Sequence, residues 1–171
     1  MIIRTRKQTD DNAIYDLVKD AFSTMEHASG DEQNLIGRLR KSAGYVPELE
    51  LVAELDGQIA GHIMLTKIPI GDTEQLILAP LAVAPGKQKQ GIGGALIKRA
   101  HETAQKAGYK LVLLVGHPAY YPRFGYRPAA DFGLTCSPDI PPECFMAADL
   151  TGGCEKIDAL VSFPSVFFET D

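Results

Sequence analysis

Apolar residues recur along this chain at two spacings. Between Asp10 and Phe22 they fall at Ile14, Leu17, Val18, Ala21 and Phe22, the i, i+3, i+4, i+7 and i+8 pattern that lines one side of a helix. Ahead of it, Ile2–Arg6 alternates apolar and polar positions and predicts a first strand. Ser29-Gly30-Asp31-Glu32 fits a capping box that opens a second helix with Leu35, Ile36 and Leu39 inward. Leu49–Leu55 and Gln58–Ile68 flank Asp56-Gly57, a favoured two-residue hairpin turn, and another strand runs from about Glu74 to Val83. A long helix, Gly91–Ala107, follows with Ile92, Ala95, Leu96, Ala100 and Ala107 inward and Gly108 as its stop. The unbroken apolar run Leu111–Val115 predicts a strand buried on both faces. Strand, crossover helix and buried strand make a βαβ unit, so the strands on either side of the long helix should lie parallel. A short helix at Ala119–Phe124 ends at Gly125, and weaker strand signals sit at Gly133–Cys136, Phe145–Leu150 and Ala159–Phe163. No repeat, linker or low-complexity tract interrupts the 171 residues, which predicts a single domain over residues 1–171.

Composition narrows the partners. A formal net charge of −5 disfavours general electrostatic binding to nucleic acid or anionic membrane. The N-terminus, Met1-Ile2-Ile3-Arg4-Thr5-Arg6-Lys7, lacks a signal peptide's apolar core, and Leu76–Pro85 falls short of the ~20 residues of a membrane span. A cytoplasmic protein is expected. Cys136, Cys144 and Cys154 are an odd count without a CxxC pair and read as reduced thiols. His27, His62, His101 and His117 show no metal-binding spacing, so no metal is expected.

The chemistry concentrates at Pro85-Gly-Lys-Gln-Lys-Gln-Gly-Ile-Gly-Gly94, where three glycines fall within four residues at the start of the long helix. Each costs ~0.8–1 kcal/mol relative to alanine inside a helix. A helix N-terminus presents unpaired N–H groups and partial positive charge, and glycine lets a phosphate approach that backbone closely. Lys87 and Lys89 add local charge; the plainer alternative is a glycine-rich turn with solvated lysines. Walker A spacing is absent. The dinucleotide fingerprint is half present, with Leu96 in the third glycine's place and Val115-Gly-His-Pro118 where its ribose-binding acid would stand. A nucleotide-binding oxidoreductase is therefore the last of three readings.

Leu81-Ala-Val83 with Gln88-Lys-Gln-Gly91-Ile-Gly93 resembles motif A of the GNAT N-acetyltransferase superfamily, [RQ]xxGx[GA]. Tyr121-Pro-Arg-Phe-Gly125-Tyr126 resembles that superfamily's later YxxxGF segment, with tyrosine in the last place. The longer run His117–Tyr126, together with Phe145-Met-Ala147, is similar to a little-characterised bacterial subgroup with a PxYYxRFGF signature. The resemblance spans Ile2 to about Phe168. It implies an α/β acyl-CoA N-acyltransferase fold: a central, mostly antiparallel sheet with one parallel, splayed strand pair, flanked by helices.

It also implies a site. Gln88, Lys89, Gln90, Gly91, Ile92, Gly93 and Gly94 would cradle the pyrophosphate of acetyl-CoA, with Gln88 where many members carry arginine and Lys87 or Lys89 as compensation. Leu81, Ala82 and Val83 would run beside the pantetheine arm. Pro80 marks a bulge or an edge there, and the Val83 N–H would stabilise the oxyanion. Tyr121 would protonate the departing thiolate, a transfer uphill by ~2 kcal/mol for an ordinary phenol, with adjacent Tyr120 an alternative packing or acid residue. Glu32 is the candidate base on the amine, in competition with its capping role; Glu26 and His27 are loop alternatives. Leu114 occupies the place of the family's frequent asparagine. The implied function is transfer of the acetyl group of acetyl-CoA to a primary amine, a small molecule rather than protein or nucleic acid, by direct attack in a ternary complex. The alternative is a non-catalytic acyl-CoA-binding or sensing module. A homodimer is compatible with the sequence, and nothing in it requires one.

Overall fold

The computed structural model describes residues 1–137 and 139–170. Its strands are β1 (Ile2–Thr5), β2 (Glu50–Leu55), β3 (Gln58–Ile70), β4 (Thr73–Val83), β5 (Leu111–Val115), β6 (Tyr126–Pro128), β7 (Leu134–Thr135), β8 (Phe145–Asp149) and β9 (Ala159–Leu160). Three α-helices, α1 (Asp11–Phe22), α2 (Glu32–Lys41) and α3 (Ile92–Lys106), lie between them. Seven strands form one sheet in the order β1-β2-β3-β4-β5-β8-β6. All its pairings are antiparallel except β4 with β5. The sheet is thus the mixed, mostly antiparallel one implied by the resemblance. A separate parallel pair joins β7 to β9.

Side-chain alternation sorts the core onto two faces. Leu51, Ala53, Ile63, Leu65, Leu76, Leu78, Val112, Leu114, Met146 and Ala148 pack under α3 with its Ile92, Leu96, Ile97, Ala100 and Ala104. The opposite face is covered by α1 and α2 over Val52, Met64 and Ala82. Beside them, the C-terminal segments cover Ile68, Ile77, Leu113, Phe145 and Ala147. Ala107 lies at the C-cap of α3, one residue beyond its last turn, and is exposed rather than inward. Gly108, at φ +92°, supplies the left-handed residue that ends the helix.

Two local features shape the sheet. Asp56 and Gly57 both have positive φ (51° and 77°), as a type I′ turn requires, and they close the β2–β3 hairpin. Farther on, Ile63 pairs with Leu81 but Leu65 pairs with Leu78, so Met64 stands opposite both Ala79 and Pro80. This is the bulge that Pro80 announces, and the extra residue reverses the alternation of β4. Leu76 and Leu78 precede it and Leu81 and Val83 follow it, yet all four pack toward α3.

The face covered by α1 and α2 also hides charge. Glu50 and His62 are fully buried. The Glu50 carboxylate accepts hydrogen bonds from Arg40 Nη2 (2.5 Å) and Tyr45 Oη (2.6 Å), and its Oε1 lies 3.0 Å from His62 Nε2. Asp11 extends the network through Arg6 (2.6 Å) and Arg40 (3.2 Å). The capping box at α2 forms only in part. Glu32 reaches back to the Ser29 N–H, but Asp31 is the N-cap and the Ser29 hydroxyl accepts from the Asp31 N–H.

Candidate active site

The β4–β5 ladder joins Leu76 to Val112 and Ile77 to Leu113 and no later pair, so the two strands part toward their C-terminal ends. The orientation of the β4 backbone along this gap follows from its other neighbour. Ala84 N donates to Ala60 O (2.9 Å), which makes Ala60/Ala84 and His62/Ala82 the hydrogen-bonding pairs. Val83 and Leu81, at the intervening positions, turn their N–H and C=O groups away from β3 and toward β5. Val83 O accepts a hydrogen bond from Gln88 Nε2 (3.2 Å), so Gln88 pins the end of β4 to the loop before α3.

At the head of that loop's helix, Gly91 is left-handed at φ +82° and serves as N-cap. Ala95 N donates to Gly91 O (3.0 Å), so the amides of Ile92, Gly93 and Gly94 precede the first helical hydrogen bond and have no partner within the helix. Residues 88–91 are exposed. An anion approaching from the β4–β5 gap would meet those donors and the positive end of a 15-residue helix.

The three glycines have different reasons. At Gly91 a Cβ would meet nothing within 4 Å, so glycine serves the left-handed backbone. At Gly93 a Cβ would lie 2.7 Å from Tyr120 Oη, and at Gly94 it would lie 2.9 Å from Phe124 Cε1. Close packing by the 117–126 segment therefore demands the second and third glycines. The two motifs interlock. Gly94→Ala is expected to cost about 1–2 kcal/mol by overpacking, net of its gain in helix propensity, with Phe124→Leu recovering most of it; urea unfolding of the three variants checks this.

Tyr121 begins a 3-10 turn, Tyr121–Phe124, that ends at left-handed Gly125. Its ring presses on Gly116, where a Cβ would stand 2.5 Å from Tyr121 Cε2, and meets Tyr120 and Tyr126 edge-on at 5.0 and 5.6 Å. Burial pushes the Tyr121 phenol up to about 12. Tyr126 is buried, and its hydroxyl lies 2.8 Å from His101 Nε2. Leu114 is buried under α3 and presents no polar atom to the gap.

Glu32 is the first residue of α2, and its side chain turns back onto the loop before that helix. Its carboxylate accepts from Ser29 N (2.6 Å), Ser29 Oγ (3.0 Å) and Gly30 N (3.1 Å). Glu26 and His27 are exposed in the same loop. Reading the sequence alone passes over Glu50 and His62 as network members and over the contact of His101 with Tyr126. A composition of 45% apolar residues gives no reason to bury a carboxylate, and the partners of Glu50 are as distant along the chain as Arg6 and His62. Among the described residues no group of three or more His, Cys, Asp or Glu side chains is placed to hold a metal ion. No helix among them is long and apolar enough to cross a membrane.

A strand pair parting beside the amides of a glycine-opened helix, with a tyrosine-bearing turn packed against that helix, is an acyltransferase arrangement, and the comparisons agree. Residues 47–128 match the family model described as an acetyltransferase (GNAT) domain. The chain is 38% identical over 128 residues to YjhQ, an uncharacterised N-acetyltransferase of Escherichia coli K12, covering 70% of this chain and 71% of that one. The crystal structure of the GNAT family N-acetyltransferase YhbS from Escherichia coli in complex with CoA superposes with a TM-score of 0.86 at 26% identity, covering 99% of this chain and 93% of that one. A GNAT family acetyltransferase from Brucella melitensis in complex with acetyl-CoA gives 0.80 at 27% identity, covering 97% of each chain. The chain belongs to the GNAT N-acetyltransferase family.

Proposed function

We propose that the chain, acting as one domain over residues 1–171, transfers the acetyl group of acetyl-CoA to a primary amine on a small molecule, by direct attack in a ternary complex. The observation that carries this reading is the outward-turned β4 edge at Leu81 and Val83 running into the free amides of Ile92, Gly93 and Gly94. Those groups suit an extended thioester cosubstrate: the edge offers N–H and C=O groups to an amide-bearing arm, and the helix start offers donors to a diphosphate. The binding of CoA by YhbS and of acetyl-CoA by the Brucella melitensis protein supports the same cosubstrate. Acetyl-CoA supplies the activated acetyl group; the rest is the work of the chain.

In this reading Leu81, Ala82 and Val83 align the arm, and the Val83 N–H donates to the carbonyl oxygen as it gains charge. Gln88, Lys89, Gln90 and Gly91–Gly94 hold the diphosphate. Tyr121 holds a proton for the departing sulfur. Glu32, with three hydrogen bonds already on its carboxylate, orders the acceptor-side loop, and proton removal from the alkylammonium passes through water. The cytoplasm, where acetyl-CoA is consumed in such reactions, is the compartment implied.

Calorimetry with acetyl-CoA, followed by thiol release across a panel of small primary amines, tests this. Binding with turnover on at least one amine is expected; no binding at all would sink the reading. The occupied Glu32 carboxylate and apolar Leu114 favour one other reading, a module that binds acyl-CoA without transfer. Binding without thiol release on any amine is its signature.

A further inference from the structure

The second motif carries two side chains that the roles above leave without a function: Tyr120, which reaches the cradle, and Arg123, which stacks on its ring. Tyr120 Oη and Val83 Cγ2 lie 2.7 and 3.6 Å from the point where a Cβ on Gly93 would sit. The hydroxyl is therefore lodged between the first turn of α3 and the end of β4. Tyr120 is only partly buried, unlike Leu114 or Tyr126, and its ring carries the Arg123 guanidinium at 4.9 Å from the centroid. Arg123 itself is exposed, and the cation–π contact holds it over the ring whose hydroxyl meets Gly93. Meanwhile Gln88 is uncharged and turned to Val83 O.

We infer that Tyr120 and Arg123 complete the diphosphate site: the Tyr120 hydroxyl donates to a diphosphate oxygen at Gly93, and Arg123, stacked on the same ring, adds positive charge to that of Lys87 and Lys89. The inference rests on the acetyl-CoA reading above and adds to it two ligands from outside motif A. Desolvation raises the Tyr120 phenol, opposed by Arg123, so the hydroxyl keeps its proton at neutral pH and is a donor. Arg123 reaches an anion as a planar fork, a geometry suited to phosphate oxygens. Tyr120 and Tyr121 then divide the work between adjacent positions, the first serving binding and the second the departing sulfur.

The test uses the full chain with two probes, acetyl-CoA and S-acetylpantetheine, which lacks the diphosphate. Tyr120→Phe keeps the ring and the Arg123 stack; Arg123→Gln alters an exposed side chain. Each is expected to weaken acetyl-CoA binding by about tenfold, the effect of one lost hydrogen bond or ion pair to a charged group. Neither should change the affinity for S-acetylpantetheine. Arg123→Gln should also flatten the salt dependence of acetyl-CoA binding, a response that a purely structural residue would not give. Acetyl-CoA affinity within about twofold of the wild type in either variant, or an equal loss for both probes, overturns the inference. A wild-type chain that fails to bind acetyl-CoA brings down the functional reading as well, and so is told apart from failure of this one.

Discussion

Glu50→Ala will lower the melting temperature by about 10 °C or more, the equivalent of ~3–5 kcal/mol in a chain of this size. The carboxylate is fully buried, and its removal leaves Arg40, Tyr45 and His62 without the acceptor they share. Burial by itself would raise the Glu50 carboxyl; the hydrogen bonds from His62, Arg40 and Tyr45 outweigh it and hold the group at about 2. For His62, burial lowers the imidazole below 6.5 and outweighs Glu50, so the ring is neutral at pH 7 and donates through Nε2. Both shifts are downward, and in both cases the unfolded chain binds protons that the folded one does not. Stability should therefore decline with acid, first as pH falls below about 6.5 through His62 and then more steeply from 4.5 toward 2 through Glu50. Melting curves of wild type and Glu50→Ala from pH 7 down to about pH 2 check both parts. A variant within about 1 kcal/mol of wild type at neutral pH would show that the network contributes little.

That network is also where the amino-acid pattern is least informative. Periodicity identifies α1 from Ile14, Leu17, Val18 and Ala21, and all four are buried. It identifies β5 from Leu111–Val115 and the hairpin from Asp56-Gly57, because both signals are local. Pro80 marks the bulge for the same reason: a missing N–H interrupts a ladder wherever the partner lies. The strand β6 (Tyr126–Pro128) has no such signal, since three residues with one buried side chain show no alternation. Glu50, Arg40 and His62 look like solvated polar residues until tertiary packing places them together. The glycines at 93 and 94 illustrate a subtler limit. Their spacing points to a helix start open to phosphate, while the side chains that require them, Tyr120 and Phe124, come from a motif some 30 residues later. Two motifs that read separately are one packed unit.

Tyr121→Phe will reduce kcat by about 10²-fold or more while leaving acetyl-CoA affinity within about twofold. Phenylalanine preserves the ring that fills the space over Gly116 and the edge contacts with Tyr120 and Tyr126, so only the hydroxyl is lost. The structure changes the energetics expected of that hydroxyl. With the phenol at about 12 and a thiol near 8.5, full proton transfer is uphill by about 5 kcal/mol, more than twice the value for an ordinary tyrosine. A proton held that tightly is passed only as the sulfur gains charge in the same water-poor surroundings, which raise its own proton affinity. In the proposed reaction Tyr121 would therefore act through a hydrogen bond that strengthens as the carbon–sulfur bond breaks, contributing to kcat more than to binding. The same burial sets the pH response. Ionisation of this phenol should not reduce kcat between about pH 8 and 10, where an unburied tyrosine would begin to lose its proton. Thiol release at saturating substrates, measured for both proteins across that range, gives the answer. Equal kcat values would assign the proton to water and leave Tyr121 with packing alone, whereas a large loss at unchanged affinity is what a phenol facing the sulfur must produce.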